Sequence, residues 1–214
     1  MENIKAVIFD MDGVLLDTET ICDRTWVDAA KEFAISTHED PINKCRGMNK
    51  ADTIITLKQV YGENFDSEKF LARTSELFHI IEENEGIDLM PYTKEALEYL
   101  KPRYTVALAS STRGVTVKRQ LENAGLINFF ETRTTGDMVS HSKPHPEIYQ
   151  MACKSLGLEP KDCVAIEDSP NGIKSAVAAG LKVIMVPDKI QPTEEIKKLC
   201  WKIIPSLKGI TEIL

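Results

Sequence analysis

Short apolar runs of strand length, at residues 6–11, 105–110, 131–135, 164–167 and 182–187, alternate along most of this chain with helical patterns. Strands separated by helices of about a dozen residues cannot pair through hairpins, so the expected core is a mostly parallel sheet with helices on both faces. The helical patterns at 116–124, 146–156 and 171–179 run into Gly125, Gly157 and Gly180, the residue type that ends a helix without a Cβ penalty. Pro146 and Pro170 suit a first helical turn, and Ser169 suits the N-cap of the third helix. Residues 189–214 read as a helix, a short strand at Ile203-Ile204 and a last helical turn.

Residues 17–86 break this rhythm. No strand-like run occurs there, whereas Trp26, Ala30 and Phe33, then Ile54, Leu57 and Tyr61, then Phe70, Leu71, Leu77, Phe78 and Ile81 recur at helical spacing. The expectation is a helical bundle, 17–86, inserted after the first strand of a core made of 1–16 and 87–214. Its stripes, Trp26 included, read as the bundle's own core. Hinges are needed near 16–19 and 86–91, and an insertion at this point of the chain is placed to act as a lid.

With 214 residues, 43% of them hydrophobic, the chain has material for one good core and a smaller second one. A formal charge of -7 argues against a general nucleic-acid or anionic-membrane binder, so an anionic substrate would have to be met by local cations, backbone N–H groups or a metal. Cys22, Cys45, Cys153, Cys163 and Cys200 are scattered and form no C-x-x-C pair, which points to reduced thiols in a cytoplasmic protein, mostly as small core residues. The first apolar run is broken by two acids and has no cleavage site, so no signal peptide is expected, nor is any run long enough to span a bilayer. His141 and His145 flank Lys143-Pro144 and read as loop residues without a ligand role. A monomer is expected.

The chemistry is concentrated at strand ends. The first strand finishes in Asp10-Met11-Asp12-Gly13, and carboxylates two residues apart on a regular strand face the same side, a repulsive arrangement that calls for a cation or a shared proton. Later strands and loops finish in Ser110, in Lys143-Pro144 and in Glu167-Asp168. Taken singly, Ser110 is an ordinary strand-end hydroxyl, Lys143 a solvated lysine and Asp168 a helix cap. In a parallel sheet, however, all these ends fall on one edge, where open α/β sheets bind ligands.

Asp10-Met11-Asp12-Gly13-Val14, Ser110, Lys143-Pro144 and Glu167-Asp168-Ser169-Pro170-Asn171-Gly172 together resemble the four motifs of the haloacid dehalogenase-like superfamily. Motif order, spacing and the helical insertion match its helical-cap branch, close to sugar-phosphate phosphatases and β-phosphoglucomutase. The resemblance implies a Rossmann-like core and phosphoryl transfer through an aspartyl phosphate formed on Asp10, with Asp12 as general acid and base. It implies Mg²⁺ held by the Asp10 carboxylate, the Asp12 backbone carbonyl and Asp168, with Glu167 positioning a water. Ser110, its neighbour Ser111 and Lys143 would hold the phosphoryl oxygens. In the cap, Arg46 and Lys50 would meet a distal phosphate or sugar hydroxyls. The implied substrate is a small phosphorylated metabolite, with no nucleic-acid or membrane partner.

Several rivals share part of this pattern. The mutase resembled carries a histidine where this chain has Cys22 and an arginine where it has Lys50, which favours a phosphatase reading. A dehalogenase or a phosphonate hydrolase has no use for Asp12. A phosphoacceptor switch also gathers acids, a hydroxyl and a lysine around Mg²⁺, but such modules accept phosphate on a later strand and lack an insertion of about 70 residues.

Overall fold

The computed structural model describes residues 4–37, 41–45 and 50–214. Among them, β1 (Ala6–Phe9), β2 (Thr105–Ser110), β3 (Thr132–Thr135), β4 (Cys163–Glu167), β5 (Lys182–Met185) and β6 (Lys202–Ile203) form a six-stranded sheet in the order β3-β2-β1-β4-β5-β6. Every pairing is parallel. The expected α/β architecture is thus the observed one, and its strand order reverses beside β1. Phe9 is level with Leu108 on one side and Ile166 on the other, so the residue after Phe9 emerges at that reversal. β1 and β4 are buried throughout, as strands covered on both faces must be, and this is why they read as unbroken apolar runs.

The first strand is shorter than its apolar run. After Phe9 one more ladder bond forms, from Asp10 N–H to the Ile166 carbonyl at 3.0 Å, and the chain then turns, with Leu15 and Leu16 N–H both donating to the Met11 carbonyl. The last strand sits one residue earlier than Ile203-Ile204, although Ile204 N–H still bonds the Met185 carbonyl at 2.9 Å.

Contacts divide the chain into two compact units, one of residues up to Asp17 together with Asp88–Leu214, the other Thr18–Ile87. The second unit contains helices α1 (Thr18–Glu32), α2 (Pro41–Cys45), α3 (Lys50–Tyr61) and α4 (Ser67–Glu85). Trp26, Ala29, Ala30, Cys45, Leu57 and Phe70 fill its interior, and Phe70 receives Trp26 and Phe33 edge-on at 5.1 and 5.4 Å between ring centroids. Asp66 caps α4 by accepting the Lys69 N–H at 3.0 Å. Arg73 forks onto Glu32 and Arg24 onto Glu85, tying α4 to α1 through exposed pairs that fix register more than they add stability.

In the first unit, α5 (Thr93–Leu100), α6 (Gly114–Asn123), α7 (Glu147–Leu156), α8 (Pro170–Ala178) and α9 (Glu194–Leu199) lie between the strands in the chain. Where the chain leaves and rejoins this unit, Asp17 N–H bonds the Asp88 carbonyl and Met90 N–H the Leu15 carbonyl, both at 2.9 Å. Ser169 is the N-cap of α8, its Oγ accepting the Gly172 N–H at 3.1 Å. Pro146 falls at the N-cap of α7, one residue before the helix.

Candidate active site

Asp10 stands at the strand-order reversal with its carboxylate almost fully buried, 10% exposed. Three lines of chain converge on Asp10 and its neighbour Asp12. From the turn before α7, Lys143 Nζ donates to Asp10 Oδ1 at 2.6 Å, to Glu167 Oε1 at 2.7 Å and to the Ala109 carbonyl at 3.1 Å. From the end of β4, Glu167 is wholly buried, and its Oε1 also accepts the Tyr149 hydroxyl at 2.7 Å while Oε2 accepts the Ser169 hydroxyl at 3.2 Å. From the end of β2, the hydroxyls of Ser110 and Thr112 lie 3.5 and 2.9 Å from Asp12 Oδ2.

The two aspartates of the first strand therefore have different partners. Extended-strand geometry would put them side by side, but the strand ends at Phe9, and the bend sends Asp12 toward the β2 loop while Asp10 faces Lys143. They remain close enough for charge to act between them. Burial is the strongest influence on the Asp10 carboxyl and raises its pKa; the Lys143 ammonium lowers it; Glu167 and Asp12 raise it again, so that it is pushed up to about 7. Burial alone would lower Lys143, but the two carboxylates outweigh it and hold the ammonium firmly protonated.

Two glycines are demanded by this packing. Gly13 has φ +73°, and a Cβ there would come within 2.6 Å of Asp168 Oδ2. At Gly172 a Cβ would lie 1.9 Å from Glu167 Oε1 and 2.1 Å from Oε2, which explains why Glu167 is followed five residues later by glycine in the first turn of α8. Gly172→Ala is expected to push the Glu167 carboxylate off Lys143. The expected result is about 1–3 kcal/mol of lost stability in denaturant unfolding, together with a marked drop in kcat.

The sequence reading missed three contributors. Thr112 is the nearest hydroxyl to Asp12, and only the proximity of Thr112 to Ser110 in a run of hydroxyl residues hinted at it. Tyr149 is fully buried, with Lys143 Nζ 5.1 Å from its ring centroid; a tyrosine on an apolar helix face needs a partner for its hydroxyl, and that was the available signal. The third is a clamp on the loop after β2. Asp137 accepts the Gly114 N–H at 2.8 Å and the Thr135 hydroxyl at 2.7 Å, and Gly136 N–H bonds the Thr112 carbonyl at 3.0 Å. A Cβ on Gly136 would collide with the Ser111 carbonyl, 2.0 Å away, so the two segments pack more closely than any residue but glycine allows. Asp137→Ala is expected to leave the fold intact and raise KM several-fold by loosening residues 110–114, checked by steady-state kinetics beside thermal unfolding.

Ser110 is fully buried and Ser111 exposed at the edge where these groups meet. Asp10, Glu167 and Asp168 each offer an oxygen within 4.8 Å of the others. An all-oxygen set of this kind fits a hard divalent cation, with Glu167 already engaged by Lys143, Tyr149 and Ser169 and so acting chiefly as their anchor. Of the residues expected in the insertion, Arg46 lies outside the described residues and Lys50 is the exposed first residue of α3. The helical unit has a cavity of its own, about 390 Å³, lined by Glu19, Cys22, Trp26, Thr53 and Phe78 among others. All five cysteines are free thiols, three of them buried, and among the described residues no helix is long and apolar enough to cross a membrane.

An acid-rich centre at the C-terminal edge of an all-parallel sheet, anchored by a buried lysine, defines an α/β enzyme whose chemistry runs on carboxylates. Comparison with known proteins narrows the class. The family model for haloacid dehalogenase-like hydrolases matches residues 7–186. A phosphorylated carbohydrates phosphatase of Thermotoga maritima is 32% identical over 187 residues, covering 85% of this chain and 84% of that protein. Hexitol phosphatase B of Escherichia coli K12 is 29% identical over 189 residues, 86% of this chain and 84% of that one. A β-phosphoglucomutase structure from Clostridium difficile superposes with a TM-score of 0.75 at 22% identity, covering 98% and 96% of the two chains, a likeness of fold. The chain belongs to the haloacid dehalogenase-like hydrolases.

Proposed function

We propose that this enzyme hydrolyses a small phosphate monoester of the sugar-phosphate type, through an aspartyl phosphate on Asp10, with Mg²⁺ as its metal. The observation that carries the reading is the division of labour between the two aspartates: Asp10 is tied to the lysine, Asp12 to the hydroxyls. Lys143 engages Asp10 Oδ1, so Oδ2 is the oxygen that would attack phosphorus. Asp12, held by Thr112 and Ser110, would protonate the departing oxygen and then take a proton from the water that opens the intermediate. Lys143 and the hydroxyls of Ser110 and Ser111 would hold the phosphoryl oxygens as negative charge moves onto them.

The metal would be held by Asp10, Asp168 and the Asp12 backbone carbonyl, with Glu167 in support, and when bound it would offset the charge of the phosphoryl group and of the crowded acids. Selection of the substrate is assigned to the 17–86 insertion, with Arg46 and Lys50 as candidate contacts, and the core to 1–16 with 87–214. The relatives named phosphatases, at 32% and 29% identity, support hydrolysis over isomerisation, as does Cys22 in place of the histidine of the mutases. A monomer in the cytoplasm remains part of the proposal.

The test is a panel of phosphate monoesters assayed with Mg²⁺, including β-glucose 1-phosphate with and without its bisphosphate activator. Release of inorganic phosphate from a sugar or polyol phosphate is expected. Efficient conversion of β-glucose 1-phosphate to glucose 6-phosphate, with little phosphate released, would overturn the phosphatase reading in favour of a mutase.

A further inference from the structure

The loop that carries Lys143 brings together a second set of ligating side chains that take no part in the centre described above. His145 N–H bonds the Ser142 carbonyl at 3.0 Å, closing a turn over Lys143-Pro144. The turn folds the chain back on itself, so that the imidazoles of His141 and His145, four residues apart, lie with ring centroids 4.5 Å apart. Loop residues flanking a proline gave no reason to expect this contact. Glu147, the first residue of α7, faces both rings: its Oε2 is 2.9 Å from His141 Nδ1 and 3.8 Å from His145 Nδ1.

The carboxylate is already fixed in place. Its Oε1 accepts the Ser140 N–H and its Oε2 the His141 N–H, both at 2.9 Å, and these bonds, the first above all, keep it below the usual carboxylate range and so ionised. One ligand atom from each of the three residues lies within 4.8 Å of the other two. We propose that His141, His145 and Glu147 form a second cation site, selective for a borderline ion of the zinc class and separate from the all-oxygen centre of Asp10 and Asp168.

The donor chemistry decides the ion. Two imidazoles beside one carboxylate are a set that zinc-class ions take, whereas Mg²⁺ accepts the carboxylate but disfavours the imidazole nitrogens. At metal–ligand distances of about 2.0–2.1 Å a tetrahedral ion keeps its ligand atoms roughly 3.3 Å apart. The separations of 2.9 and 3.8 Å bracket that spacing, and an ion would take the place of the His141 Nδ1 contact with Oε2 and of the hydrogen bond that His145 Nδ1 accepts from the Glu147 N–H at 3.3 Å. The side chains of His141 and His145 are 65% and 49% exposed, which leaves the ion a route in and a remaining position for water. An ion bound there would join both ends of the turn that carries Lys143.

Zn²⁺ alone is titrated calorimetrically into the full chain in excess Mg²⁺, with far-UV circular dichroism confirming that each variant is folded. One equivalent is expected to bind the wild-type and Asp168→Asn proteins alike. His141→Ala, His145→Ala and Glu147→Gln should each weaken it by at least the roughly 10–100-fold that loss of a mere outer-shell partner costs. Absence of binding to the wild type, binding lost in Asp168→Asn, or binding unchanged in the His141→Ala/His145→Ala double variant would each overturn the site. Binding that tolerates Glu147→Gln would overturn it as a three-ligand site.

Discussion

Asp10→Asn is expected to lower kcat by about 10⁴-fold or more, the scale seen when a covalent nucleophile is removed while the rest of a site stays in place. Asparagine keeps the shape and the contact with Lys143 through its amide oxygen, but it cannot form the acyl phosphate. The same variant has a second signature in stability. The Asp10 pKa is raised from 3.8 to about 7 on folding, so between those values the folded protein binds a proton that the unfolded chain releases. In the cation-free wild type that contribution is fully present below about pH 3.8, fades as pH rises, and is gone above about pH 7. Asp10→Asn lacks this slope, and its stability relative to wild type should therefore grow from pH 4 to pH 7 in denaturant unfolding without divalent cation. Parallel stability curves would show that Asp10 does not stand among competing acids, and turnover near the wild-type rate would end the covalent mechanism.

Lys143→Met is expected to damage both activity and stability. The ammonium is 8% exposed and serves Asp10, Glu167 and a backbone carbonyl at once, so its removal leaves two buried carboxylates without their cation. Breaking a buried pair from one side typically costs about 3–5 kcal/mol, partly relieved here by protonation of Asp10. Its carboxyl should move above about 7, so the nucleophile would be mostly protonated near neutrality and the rate profile should shift to higher pH. Together with the lost contact to phosphoryl oxygens, a fall of about 10²–10³-fold in kcat is expected at neutral pH. Added Mg²⁺ should recover part of the melting temperature by supplying another positive charge. Lys143→Arg should not restore activity, because a planar fork cannot take the place of a point charge donating in three directions within so closed a space. Thermal unfolding with and without Mg²⁺, beside a pH–rate profile, checks both halves.

Much of the centre was legible because its residues stand at strand ends. Asp10, Ser110 and Glu167 each follow an apolar run, and a parallel sheet must bring such ends to one edge whatever the details of packing. Ser169 and Gly172 were legible for a local reason, the start of α8. The strand limits were less so: the apolar run continues through Met11, yet β1 stops at Phe9, because Met11 is buried outside the ladder by a turn whose bonds involve Leu15 and Leu16. Hydrophobicity reports burial and does not say which buried residues pair in a sheet.

What the sequence by itself determined is the layer architecture, the insertion of a helical unit after the first strand and the set of polar groups on the sheet edge, since periodicity and strand polarity are local properties. Only the tertiary structure decided which group meets which. That Lys143 bridges Asp10 and Glu167, that Thr112 rather than Asp10 accompanies Asp12, that Tyr149 donates to the same Glu167 oxygen as Lys143, and that His141 and His145 both face the Glu147 carboxylate are side-chain placements set by turns and helix placement. Such contacts depend on distances of a few tenths of an ångström between segments as much as 133 residues apart, and no local pattern encodes them.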